Sequence, residues 1–115
     1  MVMSMMSNWR IIIGNRRRRK PTHPGELIRE DLLPETNLSQ TQLADWLGVS
    51  RRTVCEIVHE RRRVTPDLAI RLAKVFNSTP EMWLNMQQAH DLWEAQTNQR
   101  HKYAKIRPVQ EVAVS

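Results

Sequence analysis

Two arginines and a glutamate carry the most specific chemistry in this 115-residue chain. Arg51 and Arg52 follow Ser50 in the stretch GVSRRTVCEIVHE, and Glu56 and His59 come one and two helical turns later. An arginine at the start of a helix can donate two hydrogen bonds to O6 and N7 of a guanine when that helix enters the major groove. With Val54, Ile57 and Val58 as the buried side, a step of about 100° per residue puts Arg52, Glu56 and His59 opposite them. Arg52 is therefore the leading base-contacting candidate. Arg51 flanks the same turn and can reach a base or a phosphate, while Thr53 ranks below both. Glu56 has two readings: it accepts from a cytosine amino group, or it holds Arg52 in position as an i,i+4 partner, the second being favoured. Gln40, in the first turn of the preceding helix, stands with that turn's free N–H groups where a phosphate would bind.

Catalytic and metal readings are poor by comparison. Cys55 and His59 are four apart, but two ligands do not make a zinc site and no third group accompanies them. His23, His90 and His101 are scattered, and no glycine-rich phosphate loop is present. Neither an enzyme nor a cofactor or metal is expected.

The punctuation of the sequence around Arg52 reads as a helix-turn-helix, favoured over an ordinary helical hairpin. Ser39 with Gln42 three residues on reads as a capping box, Gly48 as a C-cap and Ser50 as the next N-cap. Leu43, Leu47, Val49, Val54 and Ile57 furnish the facing apolar sides, and Ala44 is small enough to let the second helix approach. An earlier helix opens at Pro24, with Glu26 in its first turn, and should stop at Pro34. Thr65-Pro66-Asp67 and Thr79-Pro80-Glu81 begin two more, each with a cap hydroxyl, a proline at the first helical position and an acid behind it. The fold class is all-α, five helices over residues 21–97.

Residues 1–20 have no period and include the block Arg16, Arg17, Arg18, Arg19 and Lys20, which reads as a flexible, disordered basic arm for the DNA backbone. Residues 98–115 form a tail in which Ile106, Val109 and Val112 to Val114 make at most a short extended piece. In the last helix, Met82, Met86, Ala89 and Trp93 form one stripe, and Trp83 and Leu84 begin another. Either one wide stripe closes the core, or Trp83, Met86 and Trp93 are left over as a homodimer interface, a surface type in which Trp and Met are enriched.

Eighteen Lys and Arg against twelve Asp and Glu give a net charge of +6 and suit a polyanionic partner. With Cys55 as the only cysteine and an apolar run of three at residues 11–13, neither a disulfide framework nor a membrane segment is expected. The chain reads as cytoplasmic and associated with the nucleoid.

The stretch LGVSRRTVCEIVHERRRVTPDLAIRLAKVFNSTPEMWLNMQQAHDLWEAQ resembles the HigA and VapI type of antitoxin, a branch of the lambda-repressor-like (XRE) helix-turn-helix proteins. The resemblance covers about residues 23–95. Its more specific parts are HPGE at His23 to Glu26, TPDLAIRLAKVF at Thr65 to Phe76, STPEMWLNMQ and the DLW ending at Trp93. It implies a lambda-repressor-like fold and a dimer that binds an inverted-repeat operator, represses its own operon and neutralises a HigB-type toxin, a small ribosome-dependent mRNA endonuclease. The long N-terminus and the tail beyond Gln96 depart from the pattern. A stand-alone helix-turn-helix regulator answering a small ligand or another partner is the alternative, and the neighbouring gene separates the two.

Overall fold

A computed structural model describes residues 20–109, all of whose regular structure is helical. The elements are α1 (Pro24–Leu27), a π-helical turn (Ile28–Leu32), α2 (Leu33–Thr36), α3 (Gln40–Leu47), α4 (Arg51–Val58), α5 (Pro66–Val75), α6 (Pro80–Asn98) and α7 (Arg100–Ala104). The basic residues Arg16 to Arg19 lie outside the described residues, as do Val112 to Val114.

Four of the five expected helix starts carry the cap their sequence announces. Ser39, Ser50, Thr65 and Thr79 accept from the backbone N–H of Gln42, Thr53, Leu68 and Met82, and Ser39 and Gln42 complete the reciprocal capping box. At α1 the cap is an imidazole: His23 Nδ1 accepts from the Gly25 N–H at 2.9 Å. The helices end less predictably. Gly48, Glu60 and Asn77 all take positive φ, at 73°, 60° and 50°. The next residues, Val49, Arg61 and Ser78, donate back five positions to Ala44, Glu56 and Ala73. Of these three stops, only Gly48 follows from side-chain type in the sequence reading.

Pro34 does not stop the first helical segment, which continues to Thr36 and turns at Asn37. A proline in a regular helix lacks a donor and presses on the carbonyl four residues back. The widened turn at Ile28–Leu32, closed by Leu33 N–H bonding to Ile28, changes the register just before Pro34 and makes room for the ring. In the tail, residues 100–104 are helical and Ile106 and Val109 are exposed outside any strand, while the rest of the possible extended piece, Val112 to Val114, lies outside the described residues.

The core lies between the first helical segment, the α3–α4 pair and the hairpin of α5 and α6. Leu27, Leu43, Ile57, Leu72 and Trp83 are among its fully buried members. Trp83 has 0% exposure, its indole N–H donating to Ser78 Oγ at 2.9 Å, and Met86 has 8%. Both therefore fill the chain's own core rather than a surface for a partner, which corrects the expected three-residue patch. Burying a side chain of that size is worth about 1.5 to 3 kcal/mol, and the monomer already gains it. Trp93 alone of the three keeps 37% of its surface, with the Lys20 ammonium 5.5 Å from its ring centroid.

Candidate nucleic-acid interface

The Gly48 turn lets α3 and α4 meet through Leu43, Ala44, Leu47, Val54 and Ile57, all buried. Two arginines from neighbouring elements lock that geometry. Arg71 of α5 donates from Nη1 to the Leu47 carbonyl at 2.8 Å and is itself held by Asp67 at 2.9 Å. Arg29 of the π-helical turn donates to the Val58 carbonyl and reaches Glu60 at 3.3 Å, fastening the end of α4. The start of α4 is thus left as the protruding edge of a rigid unit.

On that edge Ser50, Arg51 and Arg52 are exposed, and the Arg52 side chain retains 86% of its surface. Ser50 spends its hydroxyl on the cap, accepting from Thr53 N–H at 3.1 Å and meeting Thr53 Oγ1 at 2.8 Å, so Thr53 is half-buried and turned toward the cap. Gln40 is the first residue of α3 and half-buried. His59 is exposed at the end of α4, where its Nδ1 donates to the Cys55 carbonyl at 2.8 Å; Cys55 Sγ lies 3.6 Å from the same nitrogen. Among the described residues no group of three or more His, Cys, Asp or Glu is placed to hold a metal ion.

Glu56 lies beside Arg52 as the i,i+4 reading expects, with Nε 3.4 Å from Oε2. A closer partner comes from outside the helix. Arg62, from the loop after α4, donates to Glu56 Oε1 from Nε at 2.9 Å and from Nη2 at 2.6 Å. These hydrogen bonds, with the Arg62 charge and then Arg52 behind them, outweigh desolvation and hold the Glu56 carboxyl below the ordinary carboxylate value. The only sequence signal for Arg62 is the run Arg61-Arg62-Arg63, which reads equally as solvated charge. The reversal at Glu60 that folds this run back over α4 has no glycine or asparagine to announce it.

Comparison with known proteins agrees with this architecture. The helix-turn-helix family profile matches residues 28–84. An HTH-type transcriptional regulator of Haemophilus influenzae is 42% identical, over 78% of this chain and 86% of its own length. Antitoxin HigA-1 of Vibrio cholerae is 32% identical, over 80% of this chain and 87% of its own length. Among solved structures, Pseudomonas aeruginosa antitoxin HigA with the higBA promoter superposes with a TM-score of 0.71 at 38% identity, over 76% of this chain and 97% of that one.

Proposed function

We infer that this chain, which belongs to the helix-turn-helix family that includes the HigA-type antitoxins, binds operator DNA through α4 and represses transcription. The observation that carries this reading is the arginine edge of α4: Arg51 and Arg52 stand exposed at the start of a helix braced from behind by Arg71 and Arg29. A recognition helix works this way, with its N-terminal side chains at base edges and neighbouring N–H groups and cations on phosphates. Arg52 reads a guanine, Arg51 a base or a phosphate, and Gln40 with the start of α3 a phosphate. Thr53 and His59 border the contact. The basic arm at residues 16–20 adds phosphate contacts without reading sequence.

The family points further, to an antitoxin that neutralises a HigB-type mRNA endonuclease and controls its own operon in the cytoplasm. A homodimer is part of the proposal, because two-fold proteins match inverted-repeat operators. Its recognition helices would stand about 34 Å apart, one turn of duplex, so half-site centres would lie about 10 base pairs apart or a multiple of that. Trp93 on α6, which keeps exposed surface, belongs to that interface. Among the described residues, no helix is long and apolar enough to cross a membrane.

Two experiments test this. Footprinting on DNA upstream of the gene should show protection of an inverted repeat, and co-expression with the adjacent gene should yield a complex in which its product is inactive. Protection without a complex would leave the stand-alone regulator, and neither would remove the reading.

A further inference from the structure

The two oxygens of Glu56 are both engaged inside the protein. Oε1 accepts twice from Arg62, and Oε2 accepts from Arg52 Nε. One carboxylate thus joins a cation on the recognition helix to a cation from the following loop. The loop itself is fixed on either side of Arg62. Arg61 N–H closes onto the Glu56 carbonyl at 2.8 Å, Arg63 pairs with Asp91 of α6 at 2.7 Å, and Val64 N–H donates to the buried Gln87 Oε1 at 2.8 Å. The backbone therefore delivers Arg62 to α4, and among the described residues Glu56 is the partner that holds its guanidinium.

We propose that Glu56 is a positioning residue of the DNA interface, holding Arg52 and Arg62 at a fixed separation. The assignment rests on the DNA-binding reading and deepens it. An acid facing a polyanion is costly unless it is compensated, and here two guanidiniums compensate it. The cluster as a whole keeps a single positive charge. Freed of the carboxylate, both arginines would swing to any nearby phosphate, adding counterion release that is blind to sequence. Held by it, they lose part of that indiscriminate attraction and present their remaining donors in one geometry. Specificity here comes from restraining wrong contacts as much as from making right ones. In this arrangement Glu56 acts through the two arginines, and direct acceptance from a cytosine amino group by its remaining lone pairs is the competing outcome that the test separates.

The test compares the purified parent with Glu56→Gln, Arg62→Ala and the double variant, on operator and random duplexes across a salt series. Glu56→Gln should bind random DNA tighter, by roughly threefold or more, with a log–log salt slope steeper by about one to two. Its operator-to-random ratio should fall by about fivefold or more. In the Arg62→Ala background the same substitution should gain much less on random DNA, because one of the cations it frees is missing. An equal gain in both backgrounds would mean simple removal of a negative charge and would overturn the proposal. So would a changed preference at a single base pair with an unaltered slope, which marks direct reading by Glu56, or no change at all. A parent that prefers no duplex would remove the DNA-binding reading first, before any substitution is made.

Discussion

Gly25 lies directly against the carbonyl of Ile57: a Cβ at position 25 would stand 1.7 Å from that oxygen and 2.8 Å from its carbon. The first helix therefore touches the last turn of α4 backbone to backbone, beside the point where Arg29 donates to Val58. Because the obstacle is main chain, a methyl group at position 25 fits only if α4 moves. Gly25→Ala should cost at least about 1 to 3 kcal/mol. For a domain of this size the thermal midpoint should then drop by roughly 4 °C or more. A midpoint equal to the parent's would show that the two helices separate easily and that α4 is not held by this contact.

A second expectation concerns pH. The His23 cap works only while Nδ1 is unprotonated, since it accepts from the Gly25 N–H. Burial first, and then the His90 ring 4.9 Å away, push its pKa below the ordinary 6.5, against the pull of Glu60, Asp91 and Glu94. The unfolded chain then binds a proton at this residue before the folded one does as pH falls. The contribution of His23 is complete above about pH 6.5 and is lost as pH falls through the lower folded value. Urea midpoints followed down from neutral pH should decline below that point. His23→Asn retains an acceptor but does not titrate, so its decline should be shallower; identical slopes would exonerate His23.

Gln87 offers a test of the scaffold behind the arginine loop. Its Oε1 takes the Val64 N–H and its Nε2 donates to Asp91 Oδ1 at 3.0 Å, both inside the fold. Gln87→Leu keeps the bulk but orphans a buried N–H, at a cost of about 1 to 3 kcal/mol. Chemical denaturation should register the loss with the m-value unchanged. A neutral result would mean that Val64 finds another partner.

Trp93→Glu tests assembly. The site is half-exposed and faces the Lys20 ammonium, so the monomer should tolerate the charge, whereas a dimer contact should not. Light scattering should report a folded monomer with operator binding largely lost, while substitutions at Arg51 or Arg52 leave the dimer intact. A dimer that persists and binds normally would take Trp93 out of the interface.

What the sequence made legible follows from locality. Caps at Ser39, Ser50, Thr65 and Thr79 are properties of three or four neighbouring residues, and the helical period of Val54, Ile57 and Val58 places Arg52 outward without any tertiary information. Each failure needed a distant partner or an unusual backbone. Pro34 reads as a stop unless a π turn precedes it. Trp83 and Met86 look surplus until the α5–α6 hairpin closes over them. Arg62 joins the arginine edge only because Glu60 accepts positive φ with Arg29 reaching its carboxylate, while Asp91 and Gln87 hold the residues beyond.

The central claim is that α4 reads bases through Arg52, and its most direct test is the specificity ratio of Arg52→Ala. The affinity of parent and variant should be measured for the footprinted operator and for random duplex at one salt concentration. Loss of a bidentate guanine contact should weaken operator binding by about 1 to 3 kcal/mol and relax the preference at one base pair in each half-site, with random-DNA binding far less affected. If the variant binds operator and random DNA in the parent's ratio, Arg52 does not read a base and the account of this interface fails.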